Sequence, residues 1–278
     1  MKKMQGGEFR SFQRHTIYEI STVRQISIKL KIFFPILKMK KIIIIAFVWA
    51  LATSCNPGTS ELHDTTAPVN PPSEVLNVAF LIVEGVYNSE LVAPMDILHH
   101  TVFHTEKGME VYTVAPTKDW ITTFEGLKIL PDYSYLSDSL PKIDVLVVPS
   151  AEHSMDSDLE NRELIHFVKT TGGAARFVMS LCDGAFVLAK AGLLEGKEST
   201  TFPSDIPRYR ETFPHLVVHE GVSFVHDGKL ITSVGGAKSY DPALYLAEML
   251  YGKKAAEGIG RGLVIDWSLS EIPHIKVD

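Results

Sequence analysis

The chain has 278 residues, enough for one or two domains, and 45% of them are hydrophobic against 22% charged, which excludes disorder, collagen and coiled coil as the main theme. Its two cysteines exclude a disulfide scaffold and any cysteine-rich zinc or iron–sulfur centre. The net charge of −6 divides unevenly: residues 1–54 hold ten basic and two acidic residues, a local +8, whereas residues 55–278 hold 17 against 31, or −14. A body that acidic lacks the basic footprint of a nucleic-acid binder, so nucleic acid is not expected as a partner.

The basic front reads as an address. Met39-Lys40-Lys41 precedes an unbroken apolar run from Ile42 to Ala52. Eleven residues are too few for the ~20 that cross a bilayer as a helix, but they suit the apolar region of a secretory signal. Leu51-Ala52-Thr53-Ser54-Cys55 resembles a bacterial lipobox. That resemblance implies cleavage before Cys55 and lipidation of it, hence a lipid anchor on a bacterial envelope membrane with the folded part outside the cytoplasm. A short uncleaved anchor is the plainer alternative. Residues 1–38 show only a patchy basic–apolar stretch, and Met39 is the expected true start. From Asn56 to Ser73 the chain is rich in Pro, Ser and Thr, as a tether is. Extended at ~3.1 Å per residue, these residues reach about 55 Å. The expected organisation is therefore a dispensable extension and signal over 1–54, a lipid-anchored linker over 55–74, and one folded domain over 75–278.

Within that domain apolar runs alternate with helical periodicity, the pattern of a parallel sheet with crossover helices. Strands are expected at Val78–Val83, Met109–Val114, Asp144–Pro149 and Ala175–Leu181, with a hairpin-like excursion ending at Leu127–Pro131. Helices are expected at Ser89–Val102, at Asp158–Thr170 closed by Gly172-Gly173, at Gly184–Ala191 ended by Gly192, and at Asp241–Leu250. Val222–His226 and Lys229–Ser233 form a hairpin joined by Asp227-Gly228. The fold class is α/β, a single doubly wound, mostly parallel, flavodoxin-like sheet.

The chemistry concentrates in Phe177-Val178-Met179-Ser180-Leu181-Cys182-Asp183-Gly184-Ala185-Phe186. A strand runs into a cysteine and at once into a helix, the geometry of a nucleophile elbow at the carboxyl edge of the sheet. A helix start beside Cys182 favours the thiolate. An isolated cysteine is more often a small buried hydrophobe; the strand–Cys–Gly–helix context argues the other way. This segment, with Ser199-Thr200-Thr201, Val111–Pro116, Gly126–Tyr133, Asp144–Pro149, Asp227–Ser233 and Ala243–Glu248, resembles the ThiJ/PfpI superfamily of class I glutamine amidotransferase-like fold over about 75–265, its isonitrile-hydratase-like and regulator-associated branch most closely. The resemblance implies a cysteine paired with an acid from the first βα loop, which in Tyr87–Pro94 is Glu90. A hydrogen bond from the Glu90 carboxyl to the Cys182 sulfur is expected, with a thiol pKa below the usual ~8.5. Without the resemblance, Glu90 is an ordinary first-turn helix acid.

The departures from the family pattern bear on function. Asp183 stands where proteolytic members have histidine, Phe202 stands where many relatives have histidine, and Ser150-Ala151 replace the two glycines whose N–H groups stabilise an oxyanion. A protease or glutaminase triad is therefore disfavoured. Asp183 and Gly184 are expected in the pocket beside Ser150 and Ala151. His100 and His104 have the spacing of a ligand pair but no third ligand, His153 reads as a surface histidine, and Gly258–Gly262 follows no strand and so is not a dinucleotide loop. No metal or cofactor is expected. Two readings remain: a cysteine-dependent hydratase- or hydrolase-like enzyme acting on a small nitrile, isonitrile, amide or aldehyde, and a non-catalytic ligand-binding or redox-sensing module. The resemblance also implies a small-molecule ligand and a homodimer.

Overall fold

The computed structural model describes residues 71–277; the signal, Cys55 and nearly all of the tether lie outside the described residues. The first strand, β1 (Leu76–Leu81), alternates its large apolar side chains between two faces, and both faces are buried. A strand apolar on both sides belongs in the middle of a parallel sheet. It pairs in parallel with β2 (Met109–Ala115) on one side and β6 (Val145–Val148) on the other. Between them lie a small antiparallel excursion, β3 (Ile121–Thr122) with β4 (Lys128–Ile129), and the edge strand β5 (Tyr133–Ser134). Next come β7 (Phe177–Leu181), β10 (Phe224–Asp227), β11 (Leu230–Ser233) and β12 (His274–Val277), while β8 (Glu198–Ser199) and β9 (Val217–Val218) pair apart. The main sheet has eight strands in the order β12-β10-β11-β7-β6-β1-β2-β5, and within it only the β10–β11 hairpin is antiparallel.

Helices cover both faces. On one, Val78, Phe80 and Ile82 pack with Leu91, Ile97 and Leu98 of α1 (Asn88–His99), with α6 (Tyr240–Tyr251) and with α7 (Lys253–Gly262). On the other, Ala79, Leu81, Leu146 and Val148 meet α3 (Arg162–Ala174), α4 (Gly184–Lys190) and α5 (Ile206–Thr212), near the short α2 (Ser157–Glu160). At roughly 25 cal/mol per Å² of apolar surface, two filled layers of this size supply the bulk of the folding drive.

Three local expectations are corrected. The helix expected over 158–170 is two helices broken at Asn161, whose side chain caps α3 by accepting from Leu164 N–H at 3.1 Å. Gly172-Gly173 do not close it: they lie inside α3, and a Cβ on Gly172 would come within 2.6 Å of Leu193, so glycine there admits a neighbour rather than ending a helix. The hairpin turn is Gly228-Lys229, because Asp227 still pairs with Leu230 and its carboxylate holds Lys197 Nζ at 2.8 Å and Glu198 N–H at 3.0 Å. Lys229 in turn donates to the carbonyls of Gly172 and Gly173, both at 2.7 Å, satisfying the open end of α3. Gly258–Gly262 fall within α7, with Gly258 against the His104 ring.

Candidate active site

The carboxyl ends of β11, β7, β6 and β1 lie side by side, and each delivers one part of a single side-chain cluster. Cys182 follows β7 with a left-handed φ of +52°, and its N–H donates to Ser233 O at 3.0 Å. Such a φ is uncommon for a residue with a Cβ and holds the elbow in a strained turn. The neighbours are shaped to permit it. A Cβ on Gly235 would sit 2.4 Å from the Cys182 Cβ, and one on Gly184 would sit 2.1 Å from Val148 O. Glycine is thus required at both positions by contact, and at Gly235 also by its φ of +71°.

Glu90, in the first turn of α1, is 3% exposed. Its Oε2 accepts from Ser150 N–H at 2.9 Å and Ser150 Oγ at 2.7 Å, and its Oε1 accepts from Gly236 N–H at 3.2 Å. In place of the expected bond to the sulfur, the Glu90 carboxyl is bonded to Ser150 and Gly236. The Ala151 N–H is likewise taken, by Ser154 Oγ at 2.9 Å. Of the N–H groups expected near an oxyanion, those of Ser150 and Ala151 are therefore already bonded, to Glu90 and to Ser154.

The partner that the sulfur does meet is Asp183. Its Oδ2 lies 3.7 Å from Cys182 Sγ, and its Oδ1 accepts from Thr201 Oγ1 at 3.0 Å. Thr201 also reaches Cys182 O at 3.0 Å, so one hydroxyl braces both residues of the elbow. Although Asp183 stands at the start of α4, it makes no capping bond there. Burial, with Asp205 and Glu90 nearby, lifts its carboxyl to about 7 against the opposing Thr201 bond. The thiol is also pushed up, not down: burial dominates, Glu90 and Asp183 add to it, and the Ser150 hydroxyl and Asp183 N–H only partly offset them. This is opposite in direction to the expected depression: burial comes first, and the Glu90 and Asp183 carboxyls add to it. Tyr87 faces the same charges, and its hydroxyl is raised by burial and by Cys182, Glu90, Glu152 and Asp183.

The remaining candidates lie elsewhere. His153 pairs with Asp156 at 3.3 Å on the surface, and His100 Nδ1 meets Asp96 O at 2.7 Å. Phe202, next to Thr201 in the chain, is exposed. Sequence reasoning missed Gly235, Gly236 and Asp205 as site residues; only the Gly235-Gly236 pair after a strand gave a readable signal.

An open α/β sheet with a strained cysteine elbow, supported by an acid from the first βα loop, defines a class of cysteine-elbow proteins. Residues 76–249 match the family model described as DJ-1/PfpI, and the chain belongs to the DJ-1/PfpI family. It is 30% identical over 183 residues to an isonitrile hydratase of Pseudomonas putida, spanning 66% of this chain and 75% of that one. It is 26% identical over 190 residues to the protein dj-1beta of Drosophila melanogaster, spanning 68% and 96% of the two chains. The crystal structure of Drosophila melanogaster DJ-1beta superposes with a TM-score of 0.59 at 25% identity, covering 69% of this chain and all of that one.

Proposed function

We propose that this protein is a cysteine-dependent hydratase of small nitriles or isonitriles. The observation that carries the reading is the Cys182–Asp183 contact, a thiol 3.7 Å from a carboxyl that titrates near neutrality. A raised thiol needs a base at the moment of attack, and a carboxyl near 7 matches the working pH of one. As sulfur bonds to the electrophilic carbon, Asp183 takes the thiol proton. It then returns that proton to the nitrogen of a nitrile, or to the isonitrile carbon, leaving a thioimidate. Water adds to the thioimidate carbon, the C–S bond breaks, and the thiol is restored with release of an amide or formamide. This route protonates the developing negative charge directly. Glu90, Ser150 and Gly236 hold the loops around the sulfur. A redox sensor is the less suited reading, because oxidation proceeds through the thiolate that this site disfavours.

The test is turnover of a panel of small nitriles and isonitriles. Saturable hydration that disappears in Cys182→Ser supports the reading; turnover that survives this change, or no turnover with any member, overturns it. We also place the protein on a bacterial envelope membrane, tethered through a lipidated Cys55, as a homodimer. Cys55→Ser should then release it from the membrane pellet or leave an uncleaved precursor, and a wild type found soluble in the cytosol refutes the anchor.

A further inference from the structure

The charges around Cys182 are of one sign. Twelve carboxylates among the described residues have a Lys, Arg or His nitrogen within 4.0 Å. Glu90, Glu125, Glu152, Asp183 and Asp205 are not among them, and these five lie on or against the segments that carry Tyr87, Glu90 and Cys182. Glu152 N–H donates to Gly85 O at 3.0 Å, placing Glu152 on the β1–α1 loop. Glu125 Oε2 accepts from Asn88 N–H at 3.0 Å, at the start of α1. Asp205 and Glu90 both act on Asp183, and Glu90, Glu152 and Asp183 all act on Tyr87. Three basic side chains on the flanking segments have partners of their own. Lys238 leans on Asp241 at 3.7 Å, Arg208 donates to Met155 O at 2.8 Å, and His153 is paired with Asp156.

The rim also carries an aromatic wall. The rings of Tyr87 and Phe124 are 4.7 Å apart, Phe124 is 54% exposed, and Phe124 N–H fastens the β3–β4 turn to Val86 O at 3.1 Å. Aromatic faces attract a cation, and unpaired carboxylates in a partly buried cluster focus a negative potential onto it. We infer that the cluster selects small electrophiles that carry a positive charge, an ammonium group in particular, and rejects anionic ones. The inference rests on this cluster being the substrate site proposed above and adds the substrate's charge.

Methanethiosulfonate reagents with a trimethylammonium, a neutral methyl or a sulfonate group measure the local potential at a thiol without any turnover. Each forms a mixed disulfide with cysteine and releases methanesulfinate. Rates at Cys182 in the full chain, followed on its own peptide by mass spectrometry and normalised to free cysteine, should favour the cationic over the anionic reagent by about tenfold at low salt. The preference should shrink at high salt and in the Glu152→Gln/Asp205→Asn chain. A normalised ratio near one, or an anionic preference, overturns the inference. A second measurement does not depend on thiol access: in the Cys182→Ser chain, calorimetry should show a trimethylammonium-bearing nitrile binding more tightly than its uncharged tert-butyl isostere, with the difference reduced in Tyr87→Leu. Equal affinities overturn the inference. Turnover of neutral nitriles with no charge preference would leave the hydratase reading standing and sink only this one; a cation preference without turnover would do the reverse.

Discussion

At Cys182 the backbone is held in a conformation that disfavours a side chain by roughly 1–3 kcal/mol. The bonds to Ser233 O and from Thr201, with Gly235 against the Cβ, prevent it from relaxing. Its neighbour Asp183 supplies the residue-scale prediction. Asp183→Asn keeps an oxygen for Thr201 but removes the titrating base. Wild-type kcat/KM should rise with pH through about 7, as the carboxyl ionises. The variant should lose that limb and about two to four orders of magnitude in rate. Stability should move oppositely. Because the folded-state pKa lies above the ordinary 3.8, wild-type stability from this group is full at acid pH and is lost as pH rises towards 7. The variant should therefore exceed the wild type in unfolding free energy at pH 8 by roughly 1–4 kcal/mol, read by denaturant titration, with the gap closing near pH 4. A wild-type profile flat between pH 6 and 8 would remove Asp183 from the mechanism.

Two elements hold further tests. His226 of β10 is buried between Tyr245 OH of α6 at Nδ1 (2.7 Å) and Gly228 O at Nε2 (2.8 Å), and burial lowers its pKa. A depressed histidine contributes stability above its unfolded value of 6.5 that fades as pH falls below it. Melting curves in the Asp183→Asn background, where the opposing titration is gone, should show this acid loss, and His226→Gln should abolish it. At the end of α7, Val264 adopts a φ of +59° while 94% exposed. A β-branched residue is strained there and buries nothing, so Val264→Gly should raise stability by about 1 kcal/mol, seen as a higher melting temperature. The strands were legible in the sequence because burial on both faces leaves unbroken apolar runs, as in Val145–Val148. The break at Asn161 was not, since an Asn cap inside a periodic stretch looks like a tolerated polar residue. Cys182 and Glu90 were legible through local context and resemblance. The Ser150–Glu90 bonds and the rise of the thiol were not, because they depend on loops meeting across the sheet.

The whole molecule carries its acidity unevenly, with −14 on residues 55–278. Self-repulsion of that size opposes the compact state and is screened by salt. Raising monovalent salt from about 10 to 150 mM, which shortens the screening length from roughly 30 to 8 Å, should raise the melting temperature; a decrease would show that ion pairs such as Lys197–Asp227 outweigh the repulsion.

The strand order also dictates a schedule for synthesis. β1 emerges early but sits mid-sheet, and only its β2 side can be covered at once; the other waits for β6, which pairs Val145 with Val78. β6 then waits for β7, and β7 for β11. A nascent chain therefore shows an open, apolar strand edge until most of the domain has been translated. Such edges invite pairing with other chains, and this one calls for a holding chaperone or for folding delayed until translation is over.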